Sequence, residues 1–363
     1  MAPRVLSVDG SIGEGGGQVL RVAVALAAVL GCQLRVFNIR ARRSPPGLRA
    51  QHLTAVKAVA SLADGRVEGL KVGSTQISFE PGELSGGRME FDAGTAGSTT
   101  LILQSLMPVM AFAGSPVDVV LRGGTNNPMA PPYEYLENVL LPVLREMGFD
   151  ATLKLHRRGF YPRGQGVISA HSKPVDVLKP VKLVGKARVV KITGLSYSCR
   201  LPEHITQRMA RSAEQLLKRN GYDDVSIATE ALTPENPRCA PDPGTGIILF
   251  AHTDLGTLLA VDKLGERGVP AERVGEEAAR GLMEEMQARA PVDSHLGDQL
   301  VVWTALAAGE SEYEVSRITS HTLTSVEVCR QLTGAVFEVD GRLGERGLVR
   351  CRGIGLRRGA ASD

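Results

Sequence analysis

The 363-residue sequence has no CxxC pair, no long hydrophobic run and almost no net charge. Its five cysteines, Cys32, Cys199, Cys239, Cys329 and Cys351, are scattered and odd in number. That excludes a disulfide framework or a zinc site, and it reads as the reduced thiols of an intracellular protein. The longest apolar run, Val22 to Leu30, is too short to cross a bilayer. The opening PRVLSVDG is strand-like and does not read as a secretory leader. A soluble, cytoplasmic protein with no membrane partner is expected. A formal net charge of +3, with 22% charged residues, excludes a globally basic nucleic-acid binder. Any such role must rest on local arginine clusters. The glycine spacing matches neither GxGxxG nor GxxxxGK[ST], so a nucleotide would have to be held some other way. No lysine sits in the KxDG-like setting of the usual nucleotidyl-transfer ligases.

What the sequence does have is glycine placed ahead of apolar helices. In DGSIGEGGGQVLR (9–21), Gly15 to Gly17 directly precede the run Val19 to Leu30. Such a turn exposes backbone N–H groups at a helix N-terminus and can hold an anion. Glu14 adds a carboxylate able to carry a divalent cation, and Arg21 a fixed positive charge one turn into the helix. The same residues also suit a plain Gly-rich connector with a capping glutamate.

The pattern recurs. GEGGGQVLRVAVALAAVLG (13–31), GTAGSTTLILQSLMPVMAFAG (94–114) and SHLGDQLVVWTALAAG (294–309) each set a Gly-bearing turn before an apolar helix that ends at glycine. The simplest account is three similar α/β units with roughly 100 residues inserted into the third. From Ala187 the chain reads strand, helix, strand, a Pro-rich loop (PENPRCAPDP), two strands and a helix, which is a module of its own. The C-terminal RLGERGLVRCRGIGLRRGAASD ends in a basic, small-residue tail that reads as frayed.

Two turns gather arginine. RARRSPPGLRAQH (40–52) presents Arg40, Arg42, Arg43 and Arg49 beside Gln51 and His52. Its Pro-Pro-Gly turn prevents a helix, and exposed guanidinium forks bind phosphate oxygens bidentately. HRRGFYPRGQG (156–166) interleaves Arg157, Arg158 and Arg163 with Phe160 and Tyr161, which suits single-stranded nucleic acid or a plain hairpin with core aromatics. In GGTNNPMAPP (123–132), Met129, Ala130 and Pro131 offer an apolar wall suited to a base. Finally, SRITSHTLTSVEV (316–328) sets His321 in an alternating, Thr/Ser-rich run that reads as a strand. A lone histidine is commonly structural, but neutral imidazole also attacks phosphorus near pH 7 and forms a labile phosphoramidate. With no ligase-type lysine, histidine is the remaining candidate if AMP is carried covalently.

Taken in order, DGSIGEGGGQVLR, IRARRSPPGLRAQHL, GTAGSTTLILQ, LRGGTNNPMAPP, RRGFYPRG, HLGDQL and SHTLTSVEV resemble the blocks of the RNA 3′-terminal phosphate cyclases, from about residue 4 to 355. The resemblance implies an α/β (α+β) fold of three βαβαββ repeats. The large domain would take residues 1–186 plus 281–363, and a smaller α/β domain residues 187–280. It also implies ATP-dependent conversion of an RNA 3′-phosphate to a 2′,3′-cyclic phosphate. On that resemblance His321 takes AMP from ATP, while Gln104, Pro131, His295, Leu296, Gly297, Asp298 and Gln299 contact the nucleotide. Glu14 would carry a divalent metal, magnesium or manganese, and Arg21, Arg40, Arg43 and Gln51 would surround the RNA phosphates. The implied partner is RNA with a 3′-phosphate end, and a homodimer is left open. One departure is Gln165 in Gly164-Gln165-Gly166, where the family usually reads three glycines. Two other classes share the architecture: a non-catalytic relative in ribosome assembly, against which His321 argues, and a carboxyvinyl transferase acting on a small acid. None of the candidate residues falls in the insert, so self-adenylation is expected to survive its removal.

Overall fold

Glycine punctuates three chain units that fold alike. The structure is a computed structural model that describes residues 5–359, so the last four residues of the basic tail lie outside it. In the first unit, β1 (Val5–Asp9), α1 (Gly17–Leu30), β2 (Gln33–Phe37), α2 (Ala50–Leu62), β3 (Arg66–Glu68) and β4 (Ile77–Glu80) form a sheet in the order β1-β2-β4-β3. β1 and β2 run parallel across α1, and the other pairings are antiparallel.

The second unit comprises β5 (Gly87–Asp92), α3 (Thr99–Ala111), β6 (Val117–Gly123), a composite helix, β7 (Ala151–Arg157) and β8 (Gly166–Ser172). Its composite helix joins α4 (Tyr133–Tyr135), a π-helical turn (Leu136–Leu140) and α5 (Leu141–Glu146), and its sheet runs β5-β6-β8-β7.

The third unit opens with β9 (Lys182–Leu183) and is then interrupted. The interruption holds β10 (Val189–Cys199), α6 (His204–Arg219), β11 (Val225–Leu232), β12 (Gly244–Thr253), β13 (Leu258–Leu264) and α7 (Ala271–Gln287), with its own sheet in the order β11-β10-β12-β13. The unit resumes with α8 (Ser294–Leu306), β14 (Ala308–Val315), α9 (Ser320–Thr333), β15 (Val336–Asp340) and β16 (Gly347–Ile354). Its sheet reads β15-β16-β14-β9, so all three units are βαβαββ with one strand order. The three glycine-led stretches are the first helix of each unit.

Packing follows from the pattern. Val19, Leu20 and all of Ala23 to Leu30 are buried, so α1 is apolar nearly all round and must sit inside. It packs on α2, α3 and α9, and α8 packs on α9. The interrupting module has a second core, with Ile192, Met209, Leu217, Val274, Leu282 and Met286 between its sheet and α6 and α7. α7 runs to Gln287 and keeps Leu282 and Met286 in that core, so the helix extends beyond residue 280. Strand alternation lets β12 serve both cores: Ile247, Leu249 and Ala251 face the module, while Ile248 and Phe250 join the main core.

Two expectations need correction. SHTLTSVEV is helical, not a strand, and forms the start of α9. The Thr319 hydroxyl accepts from the Thr322 amide at 3.0 Å and caps the helix. The Thr324 and Thr333 hydroxyls bond back to carbonyls four residues earlier, at 2.7 Å each, which accommodates β-branched residues within it. The second correction concerns the basic turn at 156–166. Arg158 is fully buried, paired with Glu134 at 2.7 Å and Glu230 at 3.0 Å, and lies 4.1 Å over the Tyr197 ring. Arg163 pairs with Asp242 at 2.6 Å, and Arg157 Nε donates to the Gln165 carbonyl at 2.8 Å. Phe160 is buried, which leaves Tyr161 as the exposed aromatic of the turn. Glu230 and Asp242 of the distant module thus help to take up Arg158 and Arg163, while Arg157 is held within its own turn.

Candidate active site

The first turns of α1 and α9 meet face to face. Close approach there requires glycine: a Cβ on Gly13, which has φ of 59°, would stand 2.0 Å from Thr324 Oγ1. The contact brings Glu14 and Gln18 of the first unit against Ser320, His321 and Ser325 of the third.

Gln18 settles the state of the histidine. Its amide nitrogen donates to Ser325 Oγ at 2.8 Å and to the His321 carbonyl at 3.4 Å, so its oxygen faces the ring. His321 Nδ1 lies 2.6 Å from that oxygen and donates to it. In the neutral ring Nε2 is then the nitrogen that keeps its lone pair, half-exposed and 3.4 Å from Glu14 Oε2. Glu14 accepts from the Ser320 hydroxyl and from Arg43 at 3.1 Å. The Ser320 hydrogen bond, then His321 and Arg43, hold its carboxyl below the usual range.

Asp298 ties α8 to this corner. Its Oδ1 accepts from the hydroxyls of Thr319 at 2.5 Å and Thr322 at 2.7 Å, the capping pair that starts α9 one residue before His321. At the next position of α8, Gln299 accepts from Gln104 of α3 at 2.8 Å, joining the second unit to the third. Gln18, Arg21, Gln104, Asp298, Gln299 and Trp303 are among the residues that line a cleft with about 540 Å³ of empty space.

Positive charge gathers along one side. Arg21 makes no hydrogen bond or ion pair among the described residues, and burial lowers its pKa to about 10. An unpaired, desolvated guanidinium on a cleft wall favours an anion strongly. His52, behind it, accepts from the Arg49 amide at 3.1 Å. Burial, then Arg21, Arg40 and Arg49, push its pKa down to about 3, so it sits neutral among the arginines. Arg40 Nη1 donates to the carbonyls of Pro45 and Gly47, both at 2.9 Å, and shapes its own loop. Gln51 accepts from the Ser98 amide at 2.9 Å and is pinned to the start of α3.

The HLGDQ run divides by helical face. Leu296 is fully buried, and a Cβ on Gly297 would meet Val315 Cγ1 at 2.6 Å, so these two serve packing. Asp298 and Gln299 line the cleft, and exposed His295 lies one turn earlier, edge-on to Tyr135 at 6.3 Å. Pro131 is half-buried, and its carbonyl accepts from Thr100 at 2.7 Å. Gln18, Ser320, Ser325 and the Thr319–Thr322 pair were not singled out as site residues by sequence reasoning. The signal for Gln18 was its place as the polar residue that opens an otherwise apolar helix directly after the glycine turn.

Among the described residues no group of three or more His, Cys, Asp or Glu side chains could hold a metal ion. At the His321 corner Glu14 offers a part-exposed carboxylate, while that of Asp298 is engaged by the Thr319 and Thr322 hydroxyls. That fits an ion held chiefly by water and phosphate oxygens, as magnesium commonly is, and not an all-protein cage. No described helix is long and apolar enough to cross a membrane.

Comparison with known proteins shows the family. The family profile described as RNA 3′-terminal phosphate cyclase matches residues 12–339. Proteins named RNA 3′-terminal phosphate cyclase are similar along nearly the whole chain. The one from Ignicoccus hospitalis is 45% identical over 96% of this chain and 99% of its own. That from Hyperthermus butylicus is 46% identical over 96% and 98%, and that from Pyrococcus furiosus 42% over 95% and 98%. Among solved structures, the enolpyruvyl transferase NikO from Streptomyces tendae aligns at 11% identity with a TM-score of 0.40, covering 98% of this chain and 51% of that one.

Proposed function

The chain belongs to the RNA 3′-terminal phosphate cyclase family, and from that premise we propose that it converts an RNA 3′-phosphate to a 2′,3′-cyclic phosphate at the expense of ATP, through an AMP carried on His321. The observation that carries the reading is the setting of His321: Nδ1 donates to Gln18, which lines the cleft together with the unpaired Arg21, and Nε2 is left half-exposed as the nitrogen that can attack in the neutral ring.

His321 Nε2 attacks the α-phosphorus of ATP, a P–N bond forms, and the bond to pyrophosphate breaks. Positive charge develops on the ring, and the Nδ1 hydrogen bond to Gln18 strengthens as it does. The RNA 3′-phosphate then displaces His321 from phosphorus, giving an anhydride with AMP. The neighbouring 2′-OH attacks the 3′-phosphorus, AMP leaves, and the ring closes. This last step is intramolecular, so orientation and charge stabilisation suffice. DNA lacks the nucleophile it needs.

Arg21 contacts the nucleotide or RNA phosphates, and Arg43, with Arg40 and Gln51 behind it, receives the RNA end. Gln104, Pro131 and the HLGDQ run hold the nucleoside. Glu14 would hold a magnesium or manganese ion together with the phosphates, and such an ion neutralises charge on pyrophosphate. In the same reading the chain divides into a body and an inserted module, with α7 assigned to the module, and the protein works in the cytoplasm.

The test uses ATP labelled on its α-phosphate. One AMP per chain should remain on the protein, acid-labile and alkali-stable as a phosphoramidate is, and His321→Ala should abolish it with folding intact. A labelled His321→Ala protein would place the nucleophile elsewhere.

A further inference from the structure

β10 brings one buried tyrosine of the inserted module to the body. Tyr197 lies near the end of the strand and is fully buried, in a small third core with Phe160, Cys199, Leu232 and Cys239. Phe160 belongs to the turn between β7 and β8, and the two rings stack with centroids 6.3 Å apart. Glycine on β12 makes room for both. A Cβ on Gly246 would stand 2.6 Å from the Tyr197 hydroxyl oxygen, and one on Gly244 2.2 Å from Phe160 Cγ. The Arg158 guanidinium, paired with Glu134 of the body and Glu230 of the module, lies over the Tyr197 ring.

The hydroxyl meets the loop that follows β6. Asn126 is buried and donates from Nδ2 to Tyr197 Oη at 2.9 Å. The orientation of that amide is fixed within the loop. Thr125 Oγ1 accepts from the Gly159 amide at 2.9 Å and donates to Asn126 Oδ1 at 2.7 Å, which turns Nδ2 towards the tyrosine. Further along, the Pro131 carbonyl accepts from Thr100 Oγ1 at 2.7 Å. Thr100 stands one turn before Gln104 on α3, and Gln104 lines the cleft. Between these two anchors Pro128 and Met129 are exposed, and Met129 holds a φ of 59°, a conformation that is rare for a residue of its size.

Asn126 is therefore a point where the inserted module takes hold of a loop of the body. Without the Tyr197 hydroxyl its Nδ2 would be a buried donor with no acceptor, a cost that a shift of the loop towards another acceptor would relieve. We infer that Tyr197 is a positioning residue for the nucleoside: through Asn126 it sets the place of the loop, and thereby of Pro131 at its far end. The inference rests on the reading that Pro131 walls the nucleoside of ATP. It gives the inserted module a part in ATP binding although none of its described residues lines the cleft.

Tyr197→Phe, Asn126→Ala and the double variant test it. The readouts are self-adenylation against ATP concentration, cyclisation against the concentration of a 3′-phosphorylated RNA, and thermal melting. Tyr197→Phe should keep the fold and raise the half-saturating ATP concentration about fivefold, with the maximal rate within about twofold. The half-saturating RNA concentration should stay within about twofold of the wild-type value. Asn126→Ala should act likewise, and the double variant should be no worse than the worse single one, because both remove the same bond. An unchanged ATP requirement in folded Tyr197→Phe would overturn the inference. So would effects that add in the double variant, or that fall equally on ATP and RNA as a general loosening would. Loss of folding in both single variants would overturn it too, by making the pair structural. Pro131→Ala separates the underlying reading, and should itself raise the ATP requirement. No change there, or no AMP taken by the wild-type protein, would sink the place assigned to Pro131 and the inference with it.

Discussion

Gln18 and His321, 303 positions apart in the chain, meet at 2.6 Å between Oε1 and Nδ1. The contact joins the first helix of one repeat to the second helix of another, and it decides which ring nitrogen is free. Gln18→Leu should therefore retain the fold and lower the rate of self-adenylation about 10- to 100-fold, the worth of one hydrogen bond to a group that becomes charged. Gln18→Glu, which keeps an acceptor, should recover part of the rate. A rate unchanged in Gln18→Leu would mean that Nδ1 needs no partner.

Arg43 is half-exposed and reaches Glu14 at 3.1 Å. An exposed pair of this kind contributes about 0–1 kcal/mol, so Arg43→Ala should leave the melting temperature nearly unchanged. Cyclisation of a 3′-phosphorylated RNA is expected to fall more than self-adenylation, because a lost charged contact to a phosphate costs about 2–5 kcal/mol. Equal loss in the two steps would assign Arg43 to ATP.

His52 carries a pH signature. Its pKa is about 3 in the folded protein against 6.5 for the free side chain, so between those values the unfolded chain binds the extra proton. Stability from this group is present above pH 6.5 and declines as pH falls towards 3, by at most about 5 kcal/mol. His52→Asn keeps an acceptor for the Arg49 amide and cannot titrate. Denaturant melts from pH 7 to 4 should show a shallower decline for the variant, and parallel curves would mean that His52 is charged in the fold.

Replacing the module with a short Gly/Ser linker bears on the sequence-based expectation that adenylation survives. Ile248, Phe250 and Ala260 of the module sit in the main core, and the Ala260 amide holds the cap of α8. Removal should expose that core and loosen the helix that carries Asp298 and Gln299. A lower melting temperature and weaker uptake of AMP are expected together. A folded deletion variant with full uptake would restore the earlier expectation.

The repeat was legible because it rests on local chemistry. Glycine turns, apolar helices and β-rich segments recur in order, and each is set by residues within one turn or strand of one another. The same holds for the inserted module, announced by a doubled spacing and a proline-rich loop, and for the arginine loop at 40–49, whose Pro-Pro-Gly excludes a helix. What the sequence by itself could not decide depends on partners far away in the chain. Thr319 to Thr324 alternate like a strand, and they form a helix start because Asp298, on another element, takes the two capping hydroxyls. Arg158 and Arg163 look like free basic residues until Glu230 and Asp242 arrive from the module and take up their charge. The side of β13 that faces the body follows from which core Leu259 and Ala260 enter, and that choice is made only when two separate cores pack together. Local propensity sets the elements, while desolvation and long-range pairing set which side chains are left free to act.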